Sequence, residues 1–329
     1  MTSSPDTAVR LARVTKQYGD FKAVSDLSLA VERGVIYGIL GPNGAGKTTT
    51  LRMINDILAP DSGSIQLFGS VAPGRAAASR IGYLPEERGL YPKMRVLELL
   101  QFFGELRGLS RREATSRAAK WLERLDLQDW KKNKVQDLSK GMQQKVQFAC
   151  ALLHEPELLI LDEPWSGLDP INAEVLRDVV LEQRGAGRTI MFSTHVMEQA
   201  EKICDHVCII ARGQKVLEGA LDQVKREAAH ERLIALAFAT PASEEVARAG
   251  VLADRSIVAG LNDRRGYLEV VPADADSAGR LLAELARAGL AVRRFELVEP
   301  TLHQIFVDRV GADAASPETA GRMAGEGPA

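Results

Sequence analysis

The sequence predicts an α/β architecture on a largely parallel, buried sheet, followed by a small α+β domain. From Val9 to about Leu221, short apolar runs alternate with helical patterns, the rhythm of strands and crossover helices. The clearest runs, residues 35–40, 158–161 and 189–194, are mostly apolar on successive residues. Strands covered on both faces read this way, without alternation. Beyond Leu221 the pattern gives a strand at 233–238, a helix at 243–249, strands at 256–259 and 266–271, a helix at 276–288 and a strand at 291–297. That βαββαβ order suggests a ferredoxin-like domain.

The remaining elements follow from periodicity and punctuation. After Gly44 and Gly46 comes a helix with Leu51, Ile54 and Leu58 on one side, ended near Pro60. Another places Val146, Ala149, Cys150 and Leu153 on one face before Pro156, and both would pack on the sheet. Between Leu84 and Val135 the strand signals stop, so a helical insert is expected over about 85–135, with helices at 97–106 and 112–125. The expected organisation is one large domain over 8–221, a smaller one over 222–310 and a tail from 311 to 329. The tail is mostly Ala, Gly, Pro, Ser and Glu. With almost nothing to bury it cannot offset its ordering entropy, and is expected to be disordered.

Size and composition bound the function. At 329 residues the chain exceeds what one core comfortably supports. Apolar residues make up 45% and charged residues 26%, the balance of a globular protein. Lysine plus arginine total 42 against 44 acids, a net charge of -2, so no global positive field invites a nucleic-acid partner. No segment approaches the ~20 apolar residues of a spanning helix and the first residues lack a secretory core, so a cytoplasmic location is expected. Three cysteines read as small hydrophobes. Cys204, His206 and Cys208 stand close together, but without a second ligand pair they make a poor zinc site.

The segment Gly41-Pro42-Asn43-Gly44-Ala45-Gly46-Lys47-Thr48-Thr49 satisfies G-x-x-x-x-G-K-[ST], between an apolar strand and a helix. This is the context a P-loop requires. Its glycines let the backbone curl so that N–H groups face a β-phosphate, and the helix N-terminus adds partial positive charge. Lys47 is placed to reach the β- and γ-phosphates, the Thr48 hydroxyl to ligate Mg²⁺, and Thr49 to contact a neighbouring phosphate. In Leu158-Leu159-Ile160-Leu161-Asp162-Glu163 a buried strand delivers two carboxylates to its C-terminal end, where ligands of open α/β sheets bind. Asp162 can hold Mg²⁺ through water. Glu163 can polarise an attacking water as general base. Small-molecule kinases and GTPases share this loop, so the class stays open on these residues alone.

Between the P-loop and the acids lies Leu138-Ser139-Lys140-Gly141-Met142-Gln143-Gln144, which resembles the LSGGQ signature of ABC ATPases. Ser166-Gly167-Leu168-Asp169 is similar to their D-loop, and Ser193-Thr194-His195 resembles their H-loop. Tyr18 falls where the family places the aromatic that stacks on adenine. The resemblance implies a P-loop ABC ATPase cassette with a helical subdomain, binding ATP and Mg²⁺. It also implies a second ATPase subunit, head to tail, so that each ATP lies between the P-loop of one and the signature of the other. Ser139, at an expected helix N-cap, and Gly141 can then offer a hydroxyl and backbone N–H groups across the interface. His195 is implied to contact the γ-phosphate and Asp169 to link the two sites.

Two departures stand out. Lys140 and Met142 replace a glycine and the glutamine of the signature. In Tyr83-Leu84-Pro85-Glu86-Glu87-Arg88 Glu86 stands where the family has glutamine, and as a carboxylate it can still ligate Mg²⁺. The same loop and the C-terminal extension resemble a bacterial branch serving ABC-2 type exporters, including sodium-efflux systems. The expected function is therefore the ATP-hydrolysing subunit that drives a separate integral membrane permease, docked through the apolar groups of residues 89–94, at the inner face of the membrane. The alternative class is a soluble ABC-type ATPase acting on nucleic acid or ribosomes. Those relatives carry a long coiled coil or two cassettes, where this chain has one compact cassette.

Overall fold

The computed structural model describes residues 7–69, 71–87, 89–228, 233–274, 276–298 and 300–311. Arg88 and the tail from residue 312, expected to be disordered, lie outside the described residues. Two compact units are present, one built from residues up to Ala220 and one from Leu221 to Arg309.

The first unit opens with strands β1 (Thr7–Tyr18), β2 (Phe21–Glu32) and β3 (Ile36–Leu40), helix α1 (Lys47–Ile54), strand β4 (Ser62–Leu67), the short helix α2 (Arg75–Ala78) and strand β5 (Ile81–Leu84). Helices α3 (Val96–Leu106), α4 (Arg111–Arg124) and α5 (Lys140–Leu152) follow. The chain then alternates through β6 (Leu158–Asp162), α6 (Pro170–Gly185), β7 (Thr189–Thr194), α7 (Met197–Glu201), β8 (His206–Ala211) and β9 (Gln214–Ala220).

Six strands form one sheet in the order β5-β6-β7-β3-β8-β9. All neighbours are parallel except β9, which returns antiparallel along β8. Every residue of β3, β6 and β7 is buried, the reason their sequences are apolar without alternation. A second sheet, antiparallel in the order β2-β1-β4, was not anticipated. Val9, Leu11 and Val14 of β1 and Leu27 of β2 pack with Leu51 and Ile54 of α1 and with Tyr37, Ile39, Leu158 and Ile160 of the large sheet.

Two helices fall close to expectation, at Val96–Leu106 and Arg111–Arg124. From Pro85 to Glu157 the described residues contain helices and no strand beyond one isolated bridge, Arg95 to Lys134. Helix α1 is shorter than predicted. It stops at Ile54, because the Asn55 side-chain amide donates to the Leu51 carbonyl at 2.8 Å and Asp56 turns left-handed at φ 58°. Leu58 therefore lies beyond the helix, although it still packs on the core.

The second unit runs α8 (Leu221–Ala228), β10 (Leu233–Phe238), α9 (Pro241–Ala249), β11 (Val258–Arg264), β12 (Tyr267–Pro272), α10 (Ser277–Arg287), β13 (Val292–Val298) and α11 (Leu302–Val310). Its sheet order, β11-β12-β10-β13, is antiparallel throughout. With α9 and α10 as crossovers this is the ferredoxin-like arrangement. Ile234, Leu236, Leu268 and Val270 pack with Leu281 and Leu285 of α10. The second strand is displaced from its expected 256–259. It extends through Asn262, Asp263 and Arg264, polar residues that an edge strand tolerates because one of its sides faces solvent.

Candidate functional site

The site is assembled at the C-terminal ends of β3, β6 and β7. After β3 the chain turns through Gly41 to Gly46 and enters α1 at Lys47. Gly46 has φ 102°, and a Cβ there would lie 2.3 Å from the Ala23 carbonyl. Only glycine accepts both conditions, so the motif's second invariant position is fixed by packing against β2. The Lys47 side chain is 6% exposed. Its ammonium donates to the carbonyls of Gly41 and Pro42 at 2.8 and 3.1 Å and lies 3.7 Å from Glu163 Oε1. Burial lowers its pKa, opposed by Glu163, Asp162 and Glu86.

Asp162 ends β6 and is 1% exposed. Its Oδ1 accepts from the Thr48 hydroxyl at 3.0 Å and from the Ser193 hydroxyl. Its Oδ2 is buried without any partner. A buried carboxylate oxygen left unpaired is costly unless a cation or an ordered water completes it. Burial pushes the Asp162 pKa up, and the two hydroxyls pull it down. These are fitting donors for a hard cation such as Mg²⁺, which is held by one or two carboxylates plus substrate phosphates rather than by a dedicated cage. Among the described residues no group of three or more His, Cys, Asp or Glu side chains is placed to hold a metal ion.

Glu163 sits one residue past the strand with φ 46°, a left-handed conformation costly for a non-glycine and concentrated at functional sites. Several bonds hold it there. Its N–H donates to the Ser193 carbonyl and hydroxyl, both at 3.2 Å. Its Oε2 accepts from the Thr194 hydroxyl at 3.2 Å, and its Oε1 is 2.8 Å from His195 Nδ1. The Glu163 side chain is 7% exposed and that of His195 43%, so the pair lies at the mouth of the site.

A cleft of ≈ 350 Å³ is lined by Tyr18, Phe21 and Ala23 of the first hairpin, by residues 43–49, and by Glu86 and Glu163. Tyr18 is 50% exposed, with Lys16 Nζ 5.9 Å from its ring centroid. Glu86 is exposed; burial of its surroundings and the nearby Asp162 and Glu163 raise its pKa, while Lys47 lowers it. Gly41 and Pro42 contribute carbonyls to Lys47 rather than lining the cleft.

Ser139 and Gly141 do not reach this cleft. Ser139 is exposed and caps α5, its hydroxyl accepting from Met142 N at 3.2 Å. Asp169 likewise caps α6, accepting from Asn172 N at 3.0 Å. Lys140 lines a neighbouring cavity with Glu86, Glu87, Gln144, Glu163, Ser166 and Gly167. Cys204 and Cys208 are buried. Sequence reading named Ser193, Thr194 and Gln144 only as members of motifs, with no role of their own, and missed Phe21. Ser193 and Thr194 had a signal, since they close the strand beside Asp162, but their partners follow only from the register pairing Asp162 with Ser193.

A parallel sheet, a P-loop opening a helix, and an acidic strand end hydrogen-bonded to the P-loop threonine together define a P-loop nucleoside triphosphatase. Residues 24–166 match the ABC transporter family. Residues 219–310 match the C-terminal domain of DrrA1-3-like ATP-binding proteins. An uncharacterised ABC transporter ATP-binding protein of Bacillus subtilis, YhaQ, is 42% identical over 91% of this chain and 97% of its own length. The daunorubicin resistance ATP-binding protein DrrA3 of Streptomyces coeruleorubidus is 35% identical over 96% of this chain and 99% of its own. Among solved structures, the ATP-binding subunit of an ABC transporter superposes with a TM-score of 0.62 at 32% identity, covering 68% of this chain and 94% of that one.

The chain belongs to the ATP-binding proteins of ABC transporters and is an ATP-binding, ATP-hydrolysing subunit of that class. Such subunits work with membrane permeases and usually dimerise. No helix among the described residues is long and apolar enough to cross a membrane.

Proposed function

We propose that ATP lies along the cleft with its adenine against Tyr18 and its phosphates on the N–H groups of residues 43–49. The carrying observation is the convergence of Lys47, Thr48 and Asp162 with the hydrogen-bonded pair Glu163 and His195 at three adjacent strand ends. Lys47 neutralises the β- and γ-phosphates. Thr48 and Asp162, with Glu86 beside them, would hold Mg²⁺, which would supply positive charge against the phosphates. Glu163 takes a proton from water as the water oxygen bonds to the γ-phosphorus and the bond to the β-γ bridging oxygen breaks. His195, oriented by Glu163, contacts the γ-phosphate.

Glu163→Gln tests this. Hydrolysis falls by at least about 100-fold, the usual contribution of a general base, while ATP is retained. Normal turnover would remove Glu163 from the role.

Ser139 and Gly141 lie outside their own chain's cleft, so their contact with phosphate is to the ATP of a second ATPase subunit, a copy of this chain or a close paralogue. Glu163→Gln should accumulate as an ATP-dependent dimer by sedimentation, and a strictly monomeric variant would count against this. A separate permease docks on the exposed aromatic group of the helical region. Tyr91 and Phe102, 51% and 40% exposed, stack edge to face at 5.7 Å, beside Leu106 at 66%. An exposed apolar cluster of this kind marks an interaction surface.

Tyr91→Glu with Met94→Glu should release the permease from gently solubilised membranes and leave basal ATPase intact. Retention of the permease would place docking elsewhere. That partner would hold the chain at the inner face of the membrane. Export, of the ABC-2 type, is the favoured direction, since resistance to a drug, as in the name of DrrA3, is served by outward transport.

A further inference from the structure

Two buried glutamines on α5, the first lining the cavity beside Glu163, have no chemical role in the hydrolysis described above. Gln144 and Gln147 are three residues apart, so their side chains share a face of the helix, and they are 4% and 5% exposed. The Gln144 side-chain amide donates at 3.2 Å to the carbonyl of Pro164, the residue after Glu163. The Gln147 amide donates to the carbonyls of Pro85 and Glu87, both at 3.2 Å. Those two residues flank Glu86. One NH₂ group thus grips the peptide on either side of one acidic residue, and its neighbour a turn earlier grips the peptide after another.

The arrangement carries a standing cost. Gln147 Oε1 is buried without a partner, a penalty that an apolar side chain of the same size would avoid. Glu163 is also held in a left-handed backbone conformation, which persists only where the surroundings over-determine it. The carbonyl held by Gln144 belongs to the next residue of that turn.

We propose that Gln144 and Gln147 are positioning residues through which α5 sets the backbone of the two loops bearing Glu163 and Glu86. The N-terminal turn of α5 is the signature segment, capped by Ser139. A rigid-body shift of that end therefore moves both carboxylates at once, and occupancy of the signature is felt at the hydrolytic site. This inference rests on the roles proposed above for Glu163 and Glu86.

The test uses the full chain with Gln144→Met and Gln147→Met, which keep volume and remove the donors. Leucine at each position serves as a second donor-free variant should methionine cost the fold. Glu163→Gln is run in parallel. The measurements are thermal melting, ATP affinity, kcat, KM, and the Mg²⁺ dependence of turnover.

The expected result is near-native melting and ATP affinity with kcat reduced about tenfold or more, since small misplacements of catalytic groups carry large rate costs. Gln147→Met should also move the Mg²⁺ profile, because it frees the loop of Glu86. Native kcat and Mg²⁺ profiles in both glutamine variants would overturn the inference. So would a kcat loss that only tracks lost stability or lost ATP affinity. If Glu163→Gln itself turned over normally, the reading of the site would fail, and this inference with it.

Discussion

At the residue scale, Asn172 gives Gly141 a reason for being glycine that does not depend on phosphate. A Cβ at position 141 would stand 3.0 Å from Asn172 Nδ2 and 3.4 Å from its Cγ. That amide cannot easily swing away, because it donates to Asp169 Oδ2 while its backbone N–H is capped by Oδ1. Gly141→Ala should therefore lower ATPase activity, and the loss should be smaller when Asn172→Ala is already present. Equal losses in both backgrounds would mean that the collision is irrelevant. His154 supplies a second residue-scale prediction. Its Nε2 pairs with the Ile81 carbonyl at 2.9 Å, and its Nδ1 is buried without a partner. Burial first, then Arg107, Arg117 and Arg188, push its pKa down to about 4. Above the ordinary histidine value both folded and unfolded chains hold it neutral, so it costs nothing. As pH falls from about 6.5 towards 4, the unfolded chain gains the proton and the folded one does not, removing about 3 kcal/mol of stability. His154→Gln keeps a donor for Ile81, so its melting temperature relative to the native chain should rise as pH is lowered from 7 to 4.5. A constant difference would show that His154 does not titrate this way.

At the scale of elements, local sequence rules decided most of what formed. Ser110 and Glu113 exchange hydrogen bonds at the start of α4, with Oγ accepting from Glu113 N at 3.3 Å and Oε2 from Ser110 N at 3.0 Å. Ser110→Ala should cost about 1 kcal/mol, a melting shift of about 2–4 °C for a unit of this size. No change by calorimetry would mean that the cap is redundant. Strands β3, β6 and β7 were legible because both of their faces are covered, which leaves an uninterrupted apolar run. The sheet of β1, β2 and β4 was not, because its strands mix exposed and buried positions and β1 slips register near Arg13, itself at φ 48°. Periodicity fails where the pleat is broken in that way. Strand β11 was misplaced for a related reason: its second half is polar, and only pairing with β12 makes it a strand. The end of α1 was overrun because Leu58 kept the helical spacing after the backbone had already turned.

For the whole molecule, every residue assigned to the P-loop cleft and its acids lies before Ala220, in a unit with its own core. We propose that this unit is the ATPase domain and the second unit an accessory one. A chain ending at Ala220 should bind ATP with near-native affinity, measured by nucleotide titration. Loss of binding with loss of folding would show that the second unit is needed for stability, and a change confined to turnover or dimerisation would assign it a regulatory part. The sequence by itself determined the class of chemistry. A P-loop needs its glycines, lysine and threonine at fixed spacing, and an acidic pair must close a buried strand, so contiguous residues carry the information. It also determined the βαββαβ order of the second unit, because hydrophobic periodicity is local. Only the tertiary structure decided that Ser193 and Thr48 share one oxygen of Asp162 and leave the other unpaired. It alone placed His195 on Glu163, kept Ser139 and Gly141 out of their own chain's cleft, and joined α5 to the loops of Glu86 and Glu163. Those relations connect residues from 20 to 114 positions apart in sequence, brought together by strand register and side-chain packing, which no short window of sequence contains.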